Sequence, residues 1–184
     1  MREPKSVEMS KQSSTMDAEA LYLNLLEQIR ISITKEARRP HLIGVHSGGA
    51  WVAERLHRDL KLATPLGYLS SAFHRDDYNA RGAAQNIKPA NFKPTQLNFD
   101  VNGADLIVVD DILYTGRTVR AVMNELFDFG RAAGIEMAVL IDRGGRQLPV
   151  AARFCGGVYP LPANQSFVLS MTTEGEFFLR TQVN

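Results

Sequence analysis

The sequence predicts an α/β fold, a doubly wound parallel sheet, and three observations carry that prediction. Leu106 to Val109 and Ile135 to Ile141 are nearly continuous apolar runs, the pattern of strands buried on both faces. Both runs end in acids, Asp110-Asp111 in one case and Asp142 in the other. Between them Val119, Val122, Met123 and Leu126 recur at the i, i+3, i+4, i+7 spacing of a half-buried helix. Strands alternating with helices make a parallel sheet, and ligands bind such sheets at the carboxyl ends of their strands.

The elements follow in order. Residues 1–15 lack the apolar core of a signal peptide and read as a disordered leader before one domain over 16–184. Ser14 to Asp17 can cap a first helix, whose stripe is Leu21, Leu25, Ile29 and Ile33 and which Pro40 stops. Leu42 to His46 is a short strand. It runs through Ser47-Gly48-Gly49 into a second helix with Trp51, Val52 and Leu56 on its core side. Pro65 to Phe73 starts another strand, and 74–95, rich in Asn, Ala, Arg, Gly and Pro, is a long exposed loop. Gln96 to Phe99 is the return strand of a flexible β-arm, and Asn102-Gly103 turns the chain into the signature strand. Short strand-like pieces at 167–170 and 176–180, around Glu174-Gly175, form a small C-terminal hood.

Composition narrows the classes. At 184 residues and 45% hydrophobic content the chain can bury a sizeable core, and no apolar run approaches a membrane span. One cysteine, Cys155, beside Phe154, reads as a buried thiol in a cytoplasmic protein. A net charge of +1 gives no general drive toward nucleic acid. The four histidines, at 41, 46, 57 and 74, show no zinc spacing.

The chemistry concentrates at Asp110-Asp111 and the turn Tyr114-Thr115-Gly116-Arg117-Thr118. The amides of a first helical turn suit a phosphate, with Gly116 allowing close approach and Thr115, Thr118 and Arg117 adding hydroxyls and charge. The two carboxylates would repel that phosphate, so they suit vicinal sugar hydroxyls or Mg²⁺. Together they fit a ribose 5-phosphate. No P-loop motif occurs. Ser47-Gly48-Gly49, also between strand and helix, offers a second anion cradle. Arg75, Asp76 and Asp77 mix charges on the long loop, as a lid that excludes water would. Asp142, Arg143 and Arg146 lie at another carboxyl end, on the rim where a planar base would dock. A receiver domain also places acids at strand ends, but the acidic pair here does not follow the first strand.

Four segments in one order extend this reading: Gly44 to Leu56, Phe73 to Asp77, Val108 to Ala121 and Ala138 to Pro149. Over roughly Leu42 to Pro160 the chain resembles the PyrR family of type I phosphoribosyltransferases, above all in Asp110 to Ala121 and Asp142 to Pro149. The resemblance implies a transferase that binds 5-phosphoribosyl-1-pyrophosphate (PRPP) with Mg²⁺, and converts uracil to UMP. It implies regulation of pyrimidine genes through a leader mRNA, and a homodimer or homotetramer. It assigns Asp110, Asp111 and Arg75 to catalysis, with Asp110 and Asp111 meeting the metal directly or through water and ribose hydroxyls. Ser47, Gly48, Gly49, Asp76, Asp77, Tyr114, Thr115, Gly116, Arg117, Thr118, Asp142, Arg143 and Arg146 fall to substrate binding.

Tyr114 points to a pyrimidine. Purine-using relatives typically carry Asp at that position to handle a purine ring proton, which a phenol cannot do near neutral pH. The chain departs from the family's Thr-Arg-Gly at Ser47-Gly48-Gly49, and from its Lys-Asn-Ile-Pro-Thr-Ser at 157–162. Both changes remove cations. An alternative reading is a sensor of UMP or PRPP with little catalysis, presenting Arg143, Arg146 and Arg153 to RNA.

Overall fold

The computed structural model describes residues 16–70 and 93–184. The leader and most of the long loop, Arg75, Asp76 and Asp77 included, lie outside the described residues. Asp17 caps helix α1 (Ala18–Glu36), its carboxylate accepting the Ala20 N–H at 2.9 Å. Leu21, Leu25 and Ile29 are buried and Ile33 sits at the core margin. The helix ends before Pro40 because Ala37 turns left-handed (φ 49°) and Arg38 N–H closes back on the Ile33 carbonyl.

Strands β1 (His41–Val45), β2 (Gly67–Leu69), β3 (Asp105–Leu113), β4 (Gly134–Asp142) and β5 (Phe154–Cys155) form one parallel sheet in the order β2-β1-β3-β4-β5. Helices α1 and α2 (Gly48–Asp59) cover one face and α3 (Arg117–Phe129) the other. The period-two geometry of a strand explains the uninterrupted apolar runs: Ile107 and Val109 pack toward α1 and α2, Leu106 and Val108 toward α3.

Three elements differ from the sequence reading. β3 continues through Asp110 and Asp111 to Leu113, since backbone pairing with β4 persists to the Leu113–Asp142 pair after the apolar run has stopped. The expected return strand shrinks to a single antiparallel bridge between Tyr68 and Gln96; Phe99 instead stacks on His41, ring centroids 3.9 Å apart. β5 has no local signal. Its two residues are held by α1, where Gln28 and Asn24 donate to the Cys155 and Gly156 carbonyls at 2.8 Å each. Cys155 is half-buried, its Sγ donates to the Gly157 carbonyl at 3.1 Å, and burial pushes the thiol pKa up, which disfavours a nucleophilic thiolate.

The C-terminal pieces pair as the antiparallel hairpin β6 (Gln165–Met171) and β7 (Phe177–Val183), turning at Gly175. Phe167, Leu169, Phe177 and Leu179 enter the α1–α2 core, so the hairpin is packed on the main sheet's helical layer. Arg55 of α2 fastens it. Its guanidinium grips Glu19 through two bonds of 2.6 and 2.7 Å and lies over the Tyr22 ring at 4.0 Å and the Phe177 ring at 5.0 Å. Glu19 also accepts the Phe177 N–H at 2.7 Å.

Arg55→Ala should therefore cost about 1–3 kcal/mol of stability in denaturant unfolding. The Arg55 bond holds the Glu19 carboxyl below its ordinary pKa. That contribution is complete above the unfolded pKa near 4.5 and disappears as pH falls through the lower folded value, so R55A and wild type should converge in stability on acidification. A constant difference down to pH 2 would show that the carboxyl is not the partner that matters.

Candidate active site

The site lies at the carboxyl edge of β1, β3 and β4, where three loops converge. α2 starts at Gly48 immediately after β1, with Ser47 as an N-cap that makes no side-chain bond to the first turn. A Cβ on Gly48 would stand 2.2 Å from Oδ2 of Asp111, and one on Gly49 would stand 2.5 Å from the Val109 carbonyl oxygen and 2.7 Å from Asp110 Cα. The two glycines thus exist because the helix start presses on the end of β3, and that pressure brings Ser47-Gly48-Gly49 against Asp110-Asp111. The His46–Ser47 peptide is cis.

The carboxylates are ordered by backbone. Asp110, 7% exposed, accepts the Asp111 N–H through Oδ1 at 3.0 Å, and Asp111 accepts the Ile112 N–H the same way. After Leu113 the chain turns through Tyr114 and Thr115 to Gly116, left-handed at φ 91°, and enters α3. Again no side chain caps the helix. Thr115 is buried and accepts the Arg117 N–H at 3.3 Å, Thr118 is half-buried, and Arg117 reaches solvent. Two helix starts without side-chain caps therefore flank one acidic pair, each with first-turn amides oriented for an anion.

The third loop behaves differently from the sequence reading. The alternative of an RNA face needs Arg143 at the surface; Arg143 is 5% exposed and its guanidinium lies 3.8 Å over the Tyr114 ring. One of its N–H groups donates to the Pro162 carbonyl at 3.3 Å, while buried Nε has no hydrogen-bond partner. Arg146 donates to the Tyr114 carbonyl and pairs with Asp142, whose other oxygen accepts the Gly144 N–H at 2.8 Å. Arg153 is bound to Glu136 and to Glu36, the latter at 2.9 Å. Of the three arginines offered for an RNA face, Arg143 and Arg146 are thus engaged inside the fold, whereas Arg153 is exposed and ion-paired at the surface. What the sequence did not reveal is the support they give: the Thr115 carbonyl accepts the N–H groups of Gln147 and Leu148 at 3.0 and 3.2 Å, and a Cβ on Gly116 would meet Val150 at 2.4 Å. These contacts link residues 30 or more positions apart, so no local pattern announces them.

Beside the first loop, the His46 ring stacks parallel to Tyr68 with centroids 5.4 Å apart. Burial, assisted by the charge of Lys93 and opposed by Glu54, holds the His46 pKa below its ordinary value. The imidazole is mainly neutral at pH 7.

Residues 12–171 match the family described as Phosphoribosyl transferase domain. The chain is 46% identical over 167 residues to the Bifunctional protein PyrR of Ralstonia nicotianae, covering 89% of this chain and 91% of that protein. It belongs to the PyrR family. The Bifunctional protein PyrR of Nitrosococcus oceani is 40% identical, with 86% and 89% covered. Among solved structures, a hypoxanthine phosphoribosyltransferase from Staphylococcus aureus superposes with a TM-score of 0.58 at 19% identity, covering 82% of this chain and 78% of that one, which shows a shared fold. The expected α/β architecture and the phosphoribosyltransferase class of this PyrR-family chain both hold.

The helix-on-strand contact makes a sharp contrast among glycines. Gly49→Ala should destabilise the protein by about 1–3 kcal/mol through overpacking against backbone that cannot yield. Gly134→Ala, with nothing within 4 Å of the added methyl, should stay within about 0.5 kcal/mol of wild type. Chemical denaturation of the two variants tests this; equal effects would mean the α2–β3 approach is looser than described.

Proposed function

We propose that this PyrR-family chain transfers the 5-phosphoribosyl group of PRPP to uracil, giving UMP and pyrophosphate. The carrying observation is the Asp110-Asp111 pair, Asp110 buried and Asp111 half-buried, between two helix starts without side-chain caps, one for each phosphate-bearing end of PRPP. The bond from the sugar's anomeric carbon to pyrophosphate breaks, a bond to uracil N1 forms, and the N1 proton is lost to solvent. Tyr114 to Thr118 holds the 5-phosphate and Ser47 to Gly49 the departing pyrophosphate. Asp110 and Asp111 orient the ribose hydroxyls and favour positive charge on the sugar as the leaving group departs. Fixing both reactants and the leaving group contributes about 7–11 kcal/mol against the solution reaction, more than any one acid or base.

Asp142, Arg143 and Arg146 frame the base by placing Tyr114. The ring is held under Arg143 and against Gly145, where a Cβ would meet it at 2.4 Å. A fixed phenol at this position supports a pyrimidine, because the rim's carboxylate, Asp142, is already taken by Arg146 and the Gly144 N–H and is not free for a purine proton. The roles of Arg75, Asp76 and Asp77 in a closing lid rest on the sequence alone.

Mg²⁺ fits the donors present. Asp110 and Asp111 offer hard oxygen, and among the described residues no group of three or more His, Cys, Asp or Glu is placed to hold a metal by itself. Mg²⁺ commonly takes one or two carboxylates and completes its shell with water and substrate oxygens. When bound it neutralises pyrophosphate charge; the carboxylates and the two helix starts do the orienting.

The relatives' name, Bifunctional protein PyrR, favours a second, regulatory role in which UMP or PRPP occupancy governs a leader mRNA. With Arg143 and Arg146 engaged internally, that contact would fall to Arg153, which is exposed, and to other surface residues. The same reading includes a homo-oligomer in the cytoplasm. No described helix is long and apolar enough to cross a membrane.

Purified protein with PRPP and Mg²⁺ should release pyrophosphate with uracil and far more slowly with hypoxanthine, guanine or orotate. A purine preference overturns the substrate; UMP binding without any turnover leaves the sensor reading standing alone. Asp110→Asn and Asp111→Asn should each lower kcat/KM by about 100-fold or more. Unchanged rates would remove the carboxylates from the mechanism.

A further inference from the structure

Pyrophosphate is the most highly charged part of the proposed substrate, and the loop assigned to it is poor in charge. Ser47-Gly48-Gly49 supplies amides and one hydroxyl, and a Cβ on Gly48 would stand 2.2 Å from the Asp111 carboxylate. We infer that Lys93, from the return leg of the arm, supplies the protein cation that faces the departing pyrophosphate. This rests on the reading that Ser47 to Gly49 is the pyrophosphate loop.

Strand register carries the inference. Tyr68 and Gln96 exchange both backbone hydrogen bonds, at 2.8 and 2.9 Å, as an antiparallel pair. The legs stay together toward the carboxyl edge, because Ser70 N–H donates to Thr95 Oγ1 at 3.0 Å. Three residues before Gln96, Lys93 therefore stands about 10 Å beyond Tyr68 in the direction of that edge, at 3.3 Å per residue. β1 ends at the same height, for Val45 is level with Leu69 and His46 N–H donates to the Leu69 carbonyl at 2.9 Å. Lys93 is thus one step past the level of His46, the residue that opens the pyrophosphate loop.

An independent observation agrees. The ammonium of Lys93 is close enough to the His46 ring to oppose its protonation. Its competitor is Glu54, which accepts the Tyr68 hydroxyl at 3.1 Å. Lys93 is exposed and no described partner fixes its head group, so the four-carbon stem can deliver a point charge to a phosphate.

The test uses the full chain with Lys93→Ala, Lys93→Arg and Lys93→Glu. Calorimetry with PRPP and with UMP, which lacks pyrophosphate, separates the two ends of the site. Lys93→Ala should weaken PRPP about tenfold and raise the KM for pyrophosphate in the reverse reaction by a similar factor, with UMP affinity within twofold. Lys93→Arg should restore most of the loss and Lys93→Glu deepen it. Ser47→Glu, an exposed substitution that puts negative charge in the loop itself, reports on the underlying assignment. If Ser47→Glu abolishes PRPP binding while Lys93→Ala changes nothing, Lys93 is wrong and the loop assignment stands. If Ser47→Glu leaves PRPP binding intact, the loop assignment fails. Equal loss of UMP and PRPP in Lys93→Ala also overturns the inference, because a pyrophosphate-facing charge cannot act on UMP.

Discussion

The contact on which the rest of the site depends is the approach of the first turn of α2 to the carboxyl end of β3. It leaves no room for a side chain at positions 48 and 49, where an added Cβ would stand 2.2 to 2.7 Å from atoms of Val109, Asp110 and Asp111. The proposed transfer needs the Ser47-Gly48-Gly49 loop beside Asp110-Asp111, and this contact puts it there. The helix covers the core through Val52, Ala53 and Leu56, so burial of the helix is what drives its start onto the acidic pair.

A second constraint acts from the opposite side. Residues 142–150 do not hang over the site as a polar loop; they support the turn that precedes α3. Arg146 binds the Tyr114 carbonyl, Gln147 and Leu148 bind the Thr115 carbonyl, and Val150 packs where Gly116 has no side chain. Arg143 is buried over Tyr114 and so faces neither solvent nor a nucleic acid. Positive charge at this rim is used to fix an aromatic ring, a cation–π arrangement that gains from desolvation. Positioning of the turn before α3 and placement of the Tyr114 ring are consequently two results of one set of contacts.

The far end of the sheet is held by charge. Arg38 grips Asp105 through bonds of 2.6 and 2.7 Å and reaches Glu136 at 2.7 Å, and Arg153 joins Glu136 and Glu36. This network lies at the amino ends of β3 and β4, away from the ligand edge. The carboxyl edge, where the starts of α2 and α3 flank Asp110-Asp111, lies outside that network.

Much of this was legible in the sequence because it depends on local pattern. Apolar runs at 106–109 and 135–141 specify strands with two buried faces, the stripe at Val119, Val122 and Leu126 specifies α3, and acids followed by a glycine turn point to the strand end on which the proposed sugar-phosphate site rests. Those residues also carry the family resemblance. Only the tertiary structure decided where the longer-range partners fall. β5 exists because α1 hydrogen-bonds to it, β3 outlasts its apolar run because β4 pairs with its backbone, and Arg143 is buried because Tyr114 lies beneath it. Lys93 gains meaning only from the register of an antiparallel bridge. The physical reason is common to all four. Side-chain periodicity encodes which face of an element is buried, whereas hydrogen-bond and charge partners dozens of residues apart are chosen by how the buried faces pack.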